Sequence, residues 1–520
     1  MSDDKQAAAK DSPAPSQSGA AETHDGTEEG RKAFLASFSA AEDKAIMRKV
    51  DGRFLVLIGL IYVIKNIDYM NAANVKVLQV GQPSNILNEL SMTADQYNWV
   101  QSIYFISYIV FEVPSNLVMK KVLPRNWQTR IILSWGIILA CHAAVKNKEG
   151  LYAARFCLGM AEAGMFPGLA VQLASWYRTD EYAKPVMWMF AFQNTSGIIG
   201  SLLAYGISYM NGLGGLSAWR WVYLLEGLFT ILFSIIVYLV LPDYPHSPRS
   251  RTWLTPREQT YLEARLSPSA PKTSDPPFRP SEIPTALRDP RTHAFTLAQF
   301  LTNLAGYALQ WQLPTITTSL GFAALPRNQL LNIPPALGSV LAILAAGALL
   351  SRAWLSRPAF IALIGACELV FFAVLAAPVH DKPAVVYAAC VLGTVFYSVW
   401  FIPFWAWRSA SLDGGATAAA FGLAWQNCVG QVGGVVGPQL FRERYAGDGY
   451  RVPFAVCAGA VGGAWVAGLW GWWLTWEVEG RVRRERRAWW KERGRGRGKL
   501  GDREGTVGDG VGDTSGGGER

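Results

Sequence analysis

Charge is scarce in this sequence. Asp, Glu, Lys and Arg make up 17% of its 520 residues, whereas soluble proteins average about 25%. Most of the charged residues lie in the two tails and in one central loop, so the long segments between them carry very few. The 51% of hydrophobic residues therefore argues against a soluble multidomain enzyme and against a disordered or fibrous protein.

Side chains that hold metals or act as nucleophiles are also few. The six cysteines all lie in apolar segments without metal-ligand spacing, and the five histidines are scattered. This pattern predicts buried free thiols, no metal site and no cofactor. The sequence has no glycine-rich phosphate loop and no nucleophile elbow, which argues against an enzyme and against a pump driven by a nucleotide-binding domain on this chain.

Apolar segments of about 17–25 residues recur along the chain, and helices of that length cross a bilayer about 30 Å thick. They predict an all-α integral membrane protein with twelve transmembrane helices. No apolar run follows Met1, which predicts that no signal peptide is present. The spans are expected at 54–72, 97–119, 128–146, 151–177, 186–209, 220–241, 294–320, 333–351, 358–378, 384–406, 416–440 and 452–476.

The predicted helices form two groups of six, which a polar, proline-rich loop at 242–293 separates. The chain accordingly divides into a disordered cytoplasmic tail (1–50), a first half (51–241), this cytoplasmic central loop, a second half (294–476) and a basic, glycine-rich tail (477–520). A short helix near the end of the first tail is the alternative to disorder there.

The net charge of +9 is interpreted as a sign of topology. Cytoplasmic loops of membrane proteins are enriched in Lys and Arg, and most of these residues lie in the tails and the central loop. Lys120, Lys121, Arg125 and Arg130 form a further cluster between spans 2 and 3. Both termini are therefore predicted to be cytoplasmic. The Arg-Gly run at 493–498 is interpreted as a tail near anionic lipid, not as a nucleic-acid site.

One motif occurs in the fifth span of each half. Gln193 and Asn194 open the pattern Gln-Asn-x-x-Gly-x-x-Gly, and Gln426 and Asn427 open the same pattern. The equivalent positions indicate a duplication. Two parallel six-helix repeats are typical of secondary transporters, whose substrate site lies between the halves near the membrane midplane.

Span 1 carries polar side chains on one face. A charge at the middle of a membrane helix costs about 2.5–3.5 kcal/mol, so each one needs a partner, a cavity or a function. Lys65, Asp68, Asn71 and Asn74 follow each other at intervals of three residues. Either Lys65 and Asp68 pair with each other, or the whole stripe lines a water-filled cavity.

Span 4 carries Arg155 and Glu162, which share a helix face about two turns apart. Arg155 lies near the span start and can reach the interface, whereas Glu162 lies deeper. A carboxylate in low dielectric suits a proton carrier, and the alternative is a neutral Glu that bonds to a neighbouring helix. Pro167 is expected to kink the span.

Other polar positions have other interpretations. Glu112 in span 2 and Glu226 in span 6 are interpreted as structural, with Glu226 balancing Arg220. In the second half, Trp400 and either Gln310 or Gln312 are candidates for lining a cavity.

Residues 155–168 read Arg-Phe-x-x-Gly-x-x-Glu-Ala-Gly-x-Phe-Pro-Gly. This stretch resembles the span 4 signature of the anion:cation symporter family within the major facilitator superfamily. Residues 114–117, 219–221 and 241–245 are also similar to pieces of that family, and the resemblance covers about residues 54–476. The likeness is greatest to the fungal branch of permeases for allantoate, pantothenate and nicotinate.

This resemblance implies roles for individual residues. Arg155 and Glu162 match family positions that serve anion binding and proton coupling, and Asp68 matches a proton-coupling position in span 1. Tyr69 stands where relatives have Arg. Lys65, four residues earlier on the same helix face, is expected to supply the missing cation.

The sequence thus predicts a monomeric secondary transporter of the plasma membrane that carries a small organic anion (a vitamin acid, a ureide or another carboxylate) with protons, by alternating access. Its energy source is the proton gradient. The alternative is a transporter-like nutrient sensor that binds a ligand and signals without appreciable flux. Residues expected to bind substrate are Lys65, Asn71, Arg155, Gln193, Asn194, Gln310, Trp400, Gln426 and Asn427, and those expected to couple protons are Asp68 and Glu162.

Overall fold

Twelve long helical segments cross the molecule within the residues that the structure describes, and no β-strand occurs among those residues. An all-α architecture follows from lipid as a solvent, because each segment must satisfy its own backbone hydrogen bonds. We describe a computed structural model of the chain. It covers residues 28–119, 122–178, 181, 183–266, 280–322, 324, 326–352, 354–379, 381–411, 416–484 and 487.

The helices divide into two sets, one on each side of residue 250. The first set consists of α1 (Glu28–Ala36), α2 (Ala40–Val50), α3 (Val56–Lys76), α4 (Ile86–Glu89), α5 (Ala94–Met119), α6 (Pro124–Cys141), α7 (Lys148–Glu162), α8 (Met165–Ala174), α9 (Ala183–Ser208) and α10 (Ala218–Val240). The second set consists of α11 (Pro256–Arg265), α12 (Ile283–Arg288), α13 (Pro290–Ser319), α14 (Ile333–Ser351), α15 (Arg357–Ala376), α16 (Pro383–Ala410), α17 (Ala416–Leu440) and α18 (Arg451–Leu474).

The prediction of twelve spans is confirmed. Span 4 consists of α7 and α8, and each other span is one helix. Six of the described segments, among them Ala218–Val240 and Arg451–Leu474, are long and apolar enough to cross a membrane by length and composition alone. Of the predicted features, Lys120, Lys121 and the Arg-Gly run at 493–498 lie outside the described residues.

The first tail is partly helical. The Ser39 side chain accepts a hydrogen bond from the Glu42 backbone at 3.2 Å, and the Glu42 carboxylate accepts one from the Ser39 backbone at 2.8 Å. This reciprocal capping box starts α2. Helix α2 lies where a short helix was expected near the end of the tail, and α1 extends the ordered part back to residue 28. Residues 1–27 lie outside the described part of the chain.

The first tail packs on the central loop through α2 and α11. The Lys49 ammonium lies 2.7 Å from the Glu258 carboxylate, and the Tyr261 hydroxyl donates to Asp43 at 2.8 Å. The buried Arg265 guanidinium pairs with Glu181, next to α9, at 2.5 Å. These contacts tie the tail and the central loop to the first half.

Replacing Lys49 by Met should increase amide exchange in α11. Burial raises the pKa of Glu258, but hydrogen bonds from Lys49 and the Thr255 backbone outweigh burial and hold the pKa below its ordinary 4.5. The stabilisation is therefore fully present above pH 4.5 and is lost as the pH falls below that value. Protection factors of the α11 amides should fall in the variant at pH 7 and converge with wild type in acid. Lys44→Met, on the exposed face of α2, is the control, and an equal loss there would contradict the assignment.

The two halves meet most extensively along two helix pairs, α5 with α17 and α9 with α14. Glycines let these helices approach closely, since a Cβ on Gly434 would collide with the Phe105 ring and one on Gly347 with the Met187 side chain. Each pair joins a helix of the first half to a helix of the second half. Relative motion of the halves must therefore include movement across these two contacts.

The second tail begins beside α15. Glu479 forms an ion pair with Arg357 at 2.5 Å, and both side chains are buried. This contact anchors the described start of the tail to the second half. Residues 488–520 lie outside the described chain.

Candidate functional site

Span 4 is broken at the centre of the first half. Helix α7 ends at Glu162, and Gly164 has a φ of 86°, a conformation that glycine adopts without steric cost. The carbonyl of Ala163, at this break, accepts a hydrogen bond from the Ser115 hydroxyl at 2.6 Å. The break thus precedes Pro167, which lies in the first turn of α8, where proline is tolerated. Discontinuous helices of this kind form binding sites in many transporters.

Glu162 lies at this break and is fully buried. One carboxylate oxygen accepts a hydrogen bond from the Tyr104 hydroxyl at 2.6 Å. The other oxygen, Oε1, has no partner among the described residues. The positive charges of Lys65 and Arg155 act on this carboxyl. Glu162 therefore has a free acceptor within a cluster of charged side chains.

Arg155 is 1% exposed, so the interpretation that it extends to the membrane interface is wrong. Its guanidinium donates to the Tyr223 hydroxyl at 2.7 Å and lies 5.3 Å from the centre of the same ring. Its Nε has no partner among the described residues. A buried guanidinium with an unused donor is suited to bind an anion.

Lys65 and Asp68 do not form an ion pair in the described structure. Asp68 accepts hydrogen bonds from Trp135 Nε1 at 2.8 Å and from the Thr230 hydroxyl at 3.0 Å. The Lys65 ammonium lies 4.9 Å from the centre of the Tyr69 ring. The alternative in which Lys65 and Asp68 satisfy each other is therefore wrong, and the half-buried lysine has no ion-pair partner among the described residues.

Asn71 is part of a structural contact, since it donates a hydrogen bond to the Glu226 carboxylate and both side chains are buried. The predicted balance between Glu226 and Arg220 is wrong. Arg220 instead pairs with Glu89 at 3.1 Å, and it also donates to two backbone carbonyls between α6 and α7.

The two copies of the Gln-Asn motif place their asparagines at the boundary between the halves. Asn194 accepts a hydrogen bond from the Ser398 hydroxyl in α16 at 3.0 Å. Asn427 donates one to the Glu112 carboxylate in α5 at 2.6 Å. Glu112, predicted to be structural, thus joins the halves. The two asparagines have equivalent positions in the two repeats.

The described contacts of the two glutamines of this motif lie within their own halves. The backbone carbonyl of Gln193 accepts a hydrogen bond from Asn66 at 3.2 Å. The Gln426 side chain donates to Gln299 at 2.7 Å and accepts from Arg408 at 2.9 Å. Gln426 therefore belongs to a polar network inside the second half, close to the end of the bundle that carries the tails.

Replacing Asn427 by Asp should make the contact between the halves dependent on pH. A second carboxylate beside Glu112 is tolerated while the two share a proton, but two charges at this distance repel each other. We expect a loss of about 3 kcal/mol of stability at pH 8, relative to pH 5, because an uncompensated buried charge has about that cost. Thermal unfolding of the purified protein at both pH values measures it.

The matched control is Asn194→Asp in the other repeat. Its partner, the Ser398 hydroxyl, can donate to a carboxylate, so its unfolding temperature should change little between pH 5 and pH 8. Equal behaviour of the two variants would contradict the difference between the two contacts.

Gln310 and Trp400 lie apart from the charged cluster of the first half. Gln310 is half-buried on α13. Trp400 stacks on Phe404, with ring centres 4.0 Å apart, and lines a cavity beside Glu368 in the second half. The structure thus brings together Lys65, Asp68, Arg155 and Glu162, and it places Gln310, Trp400 and Gln426 elsewhere.

Sequence reasoning missed the residues that hold the charged cluster in place. They are Tyr104, Trp135 and Tyr223, each of which provides a hydrogen bond to one of its members. Nothing in the sequence distinguishes them from other aromatic residues of membrane helices. Ser115, which caps the break in span 4, was indicated only by the motif that contains it.

The halves are also joined at the end of the bundle opposite to the tails. Trp311 Nε1 donates to the Asn98 side chain at 2.8 Å, and Asn98 donates to the Phe441 carbonyl at 3.0 Å. The Ser102 hydroxyl donates to the Val435 carbonyl at 2.7 Å. These bonds connect α5 with α13 and α17 and close the boundary at that end.

Comparison with known proteins finds similarity to membrane transporters. The sequence profile of the Major Facilitator Superfamily matches residues 69–438. The chain is 31% identical over 428 residues to the MFS transporter prlL of the fungal strain NRRL 50135, which covers 81% of this chain and 84% of that protein. It is 28% identical to a candidate tartrate transporter of Agrobacterium vitis, over 76% of this chain and 84% of that protein.

A solved structure shares the fold. It is a bacterial homolog of the human lysosomal transporter Spinster, in an inward-facing and occupied conformation. The similarity has a TM-score of 0.55 at 13% sequence identity, and it covers 82% of this chain and 96% of that one.

Proposed function

Because this chain belongs to the Major Facilitator Superfamily and is therefore a membrane transporter and not an enzyme, we propose that it is a proton-coupled symporter of a small organic anion. We place it in the anion:cation symporter family, near the fungal permeases for vitamin acids and ureides. The buried cluster of the first half carries this proposal. It combines two cations that can attract a carboxylate with two carboxyl groups that can take up protons.

Each charged side chain has a separate role in this proposal. Arg155 and Lys65 bind the anion, and the unused Nε of Arg155 provides a donor. Glu162, with one free oxygen at the helix break, takes up the proton, and Asp68 is the second carboxyl group that couples protons. Neutralisation of a carboxylate while the anion is bound keeps the net charge of the cluster small, which lowers the cost of moving both across the membrane.

Alternating access is proposed to occur by rocking of the two halves across the α5–α17 and α9–α14 contacts. The membrane is proposed to be the plasma membrane, with both termini cytoplasmic and the transporter acting as a monomer. The similarity to a candidate tartrate transporter supports a carboxylate as substrate.

Uptake by the full-length protein in proteoliposomes tests the function. Labelled tartrate, nicotinate, pantothenate and allantoate are offered with the outside more acidic than the lumen. At least one should accumulate above the external concentration, and a protonophore should abolish that accumulation. Unchanged uptake without a pH gradient would contradict proton coupling, and binding without flux would favour the nutrient sensor.

A further inference from the structure

A cavity lies in the second half, lined by residues that do not belong to the charged cluster. It is formed between α13, α15, α16 and α18, and its polar lining comes from Glu368, Thr302 and the indoles of Trp400 and Trp465. None of the roles proposed above involves Glu368. The cavity therefore needs an explanation of its own.

Glu368 is 1% exposed and lies at the middle of α15. Its carboxyl forms no hydrogen bond or ion pair with the described residues, and its Oε1 atom is buried without a partner. Tyr397, also buried, is the titratable neighbour on which its charge acts. An unpaired buried carboxylate is costly, so a ligand that neutralises or hydrogen-bonds it would gain considerable binding energy.

The cavity lies next to an exposed apolar surface of the second half. Its rim residue Trp465 is 36% exposed, and Leu363, Val370 and Val466 on the same two helices are all more than half exposed. The Trp465 indole donates to the Ala362 carbonyl at 2.9 Å, which holds the ring between α15 and α18. A ligand that reaches Glu368 by this route must therefore come from the bilayer.

Small residues leave room beside the carboxyl. Gly365 and Gly468 line the cavity from α15 and α18. A Cβ on Gly468 would have no atom within 4 Å, so this position faces open space. The space suits a single small polar group and not a whole drug-sized molecule.

We propose that this cavity binds the ammonium head of a lipophilic amine that partitions into the membrane. The ammonium donates a hydrogen bond to the Glu368 carboxylate, and the two indoles provide π-faces for a cation. The hydrocarbon tail stays in the lipid beyond Trp465. This site does not depend on the substrate of the central cluster.

Carbodiimide labelling tests the site in the full-length protein. Dicyclohexylcarbodiimide is lipid-soluble and forms adducts with carboxyl groups that it reaches from the bilayer. Peptide mass spectrometry should find Glu368 labelled. Dodecylamine at about ten times its Kd should slow this labelling about tenfold by occupying the site. Labelling of Glu112 and Glu226 in the same digest should not respond to the amine.

Compounds and variants separate the possible outcomes. Dodecanoate should not protect Glu368, and equal protection by dodecanol would overturn the assignment to a cation. Gly468→Leu should fill the space and abolish both labelling and protection, whereas Gly459→Leu, on the same helix and also facing open space, should behave as wild type. An unlabelled Glu368 in the wild-type protein, or labelling insensitive to dodecylamine, would refute the site.

Discussion

Replacing Glu162 by Gln should abolish the proton-driven accumulation of the anion and leave exchange of internal for external anion intact. Gln has nearly the same shape and can keep the contact with the Tyr104 hydroxyl, but it cannot take up a proton. With one proton moved per anion, a gradient of about one pH unit supports about a tenfold accumulation in the wild-type protein. The variant should reach only equal concentrations on both sides, measured as labelled anion in proteoliposomes.

Two further variants make this test specific to Glu162. Glu149→Gln changes a carboxylate that is exposed near the start of the same helix, and it should retain full accumulation. Tyr104→Phe removes the hydrogen bond to Glu162 but keeps the carboxyl, so it should shift the pH profile of transport without uncoupling it. Accumulation by Glu162→Gln at the wild-type level would refute the role of Glu162 in coupling.

The helices could be predicted from sequence because the bilayer imposes their length. Span 6 was expected at 220–241 and forms at Ala218–Val240, and span 11 was expected at 416–440 and forms at Ala416–Leu440. Outside the membrane, hydropathy is a weaker predictor of where helices form. The α2 helix at Ala40–Val50 is amphiphilic and short, so its capping box was the only local sign of order.

The rotation of each helix about its axis could not be predicted. Gln426 and Asn427 are neighbours in sequence but point about 100° apart on the helix. As a result, Gln426 contacts Arg408 within its own half, and Asn427 contacts Glu112 across the boundary. Hydropathy does not determine which of two adjacent polar residues faces the other half.

The charged members of the cluster could be identified because charge inside a membrane is costly and therefore rare. Their hydrogen-bond partners could not be identified, because tyrosines and tryptophans such as Tyr104 and Trp135 are common in membrane helices. The break in span 4 was also misplaced, because Pro167 is the more familiar cause of a kink and Gly164 is the residue with the positive φ.

Replacing Arg155 should weaken binding of the anion more than it weakens the fold. The guanidinium is buried, and its described hydrogen-bond partner is the neutral Tyr223 hydroxyl. Removing the guanidinium therefore breaks no described ion pair with a carboxylate. Arg155→Gln should raise the KM for the anion about thirtyfold, corresponding to a loss of about 2 kcal/mol for a buried charge contact. Arg155→Lys keeps the charge but loses the planar donor fork, and it should give an intermediate value.

Selectivity separates loss of anion binding from general damage. If nicotinate is carried, wild-type protein should prefer it strongly over nicotinamide, which has the same ring without the charge, and Arg155→Gln should remove most of this preference. Arg220→Lys provides the matched control, because Arg220 already has Glu89 as its partner. That variant should lower the unfolding temperature and keep the preference for the acid. Because an arginine with a satisfied carboxylate partner stabilises structure and one with an unused donor is available to a ligand, unchanged selectivity in Arg155→Gln would contradict the anion site.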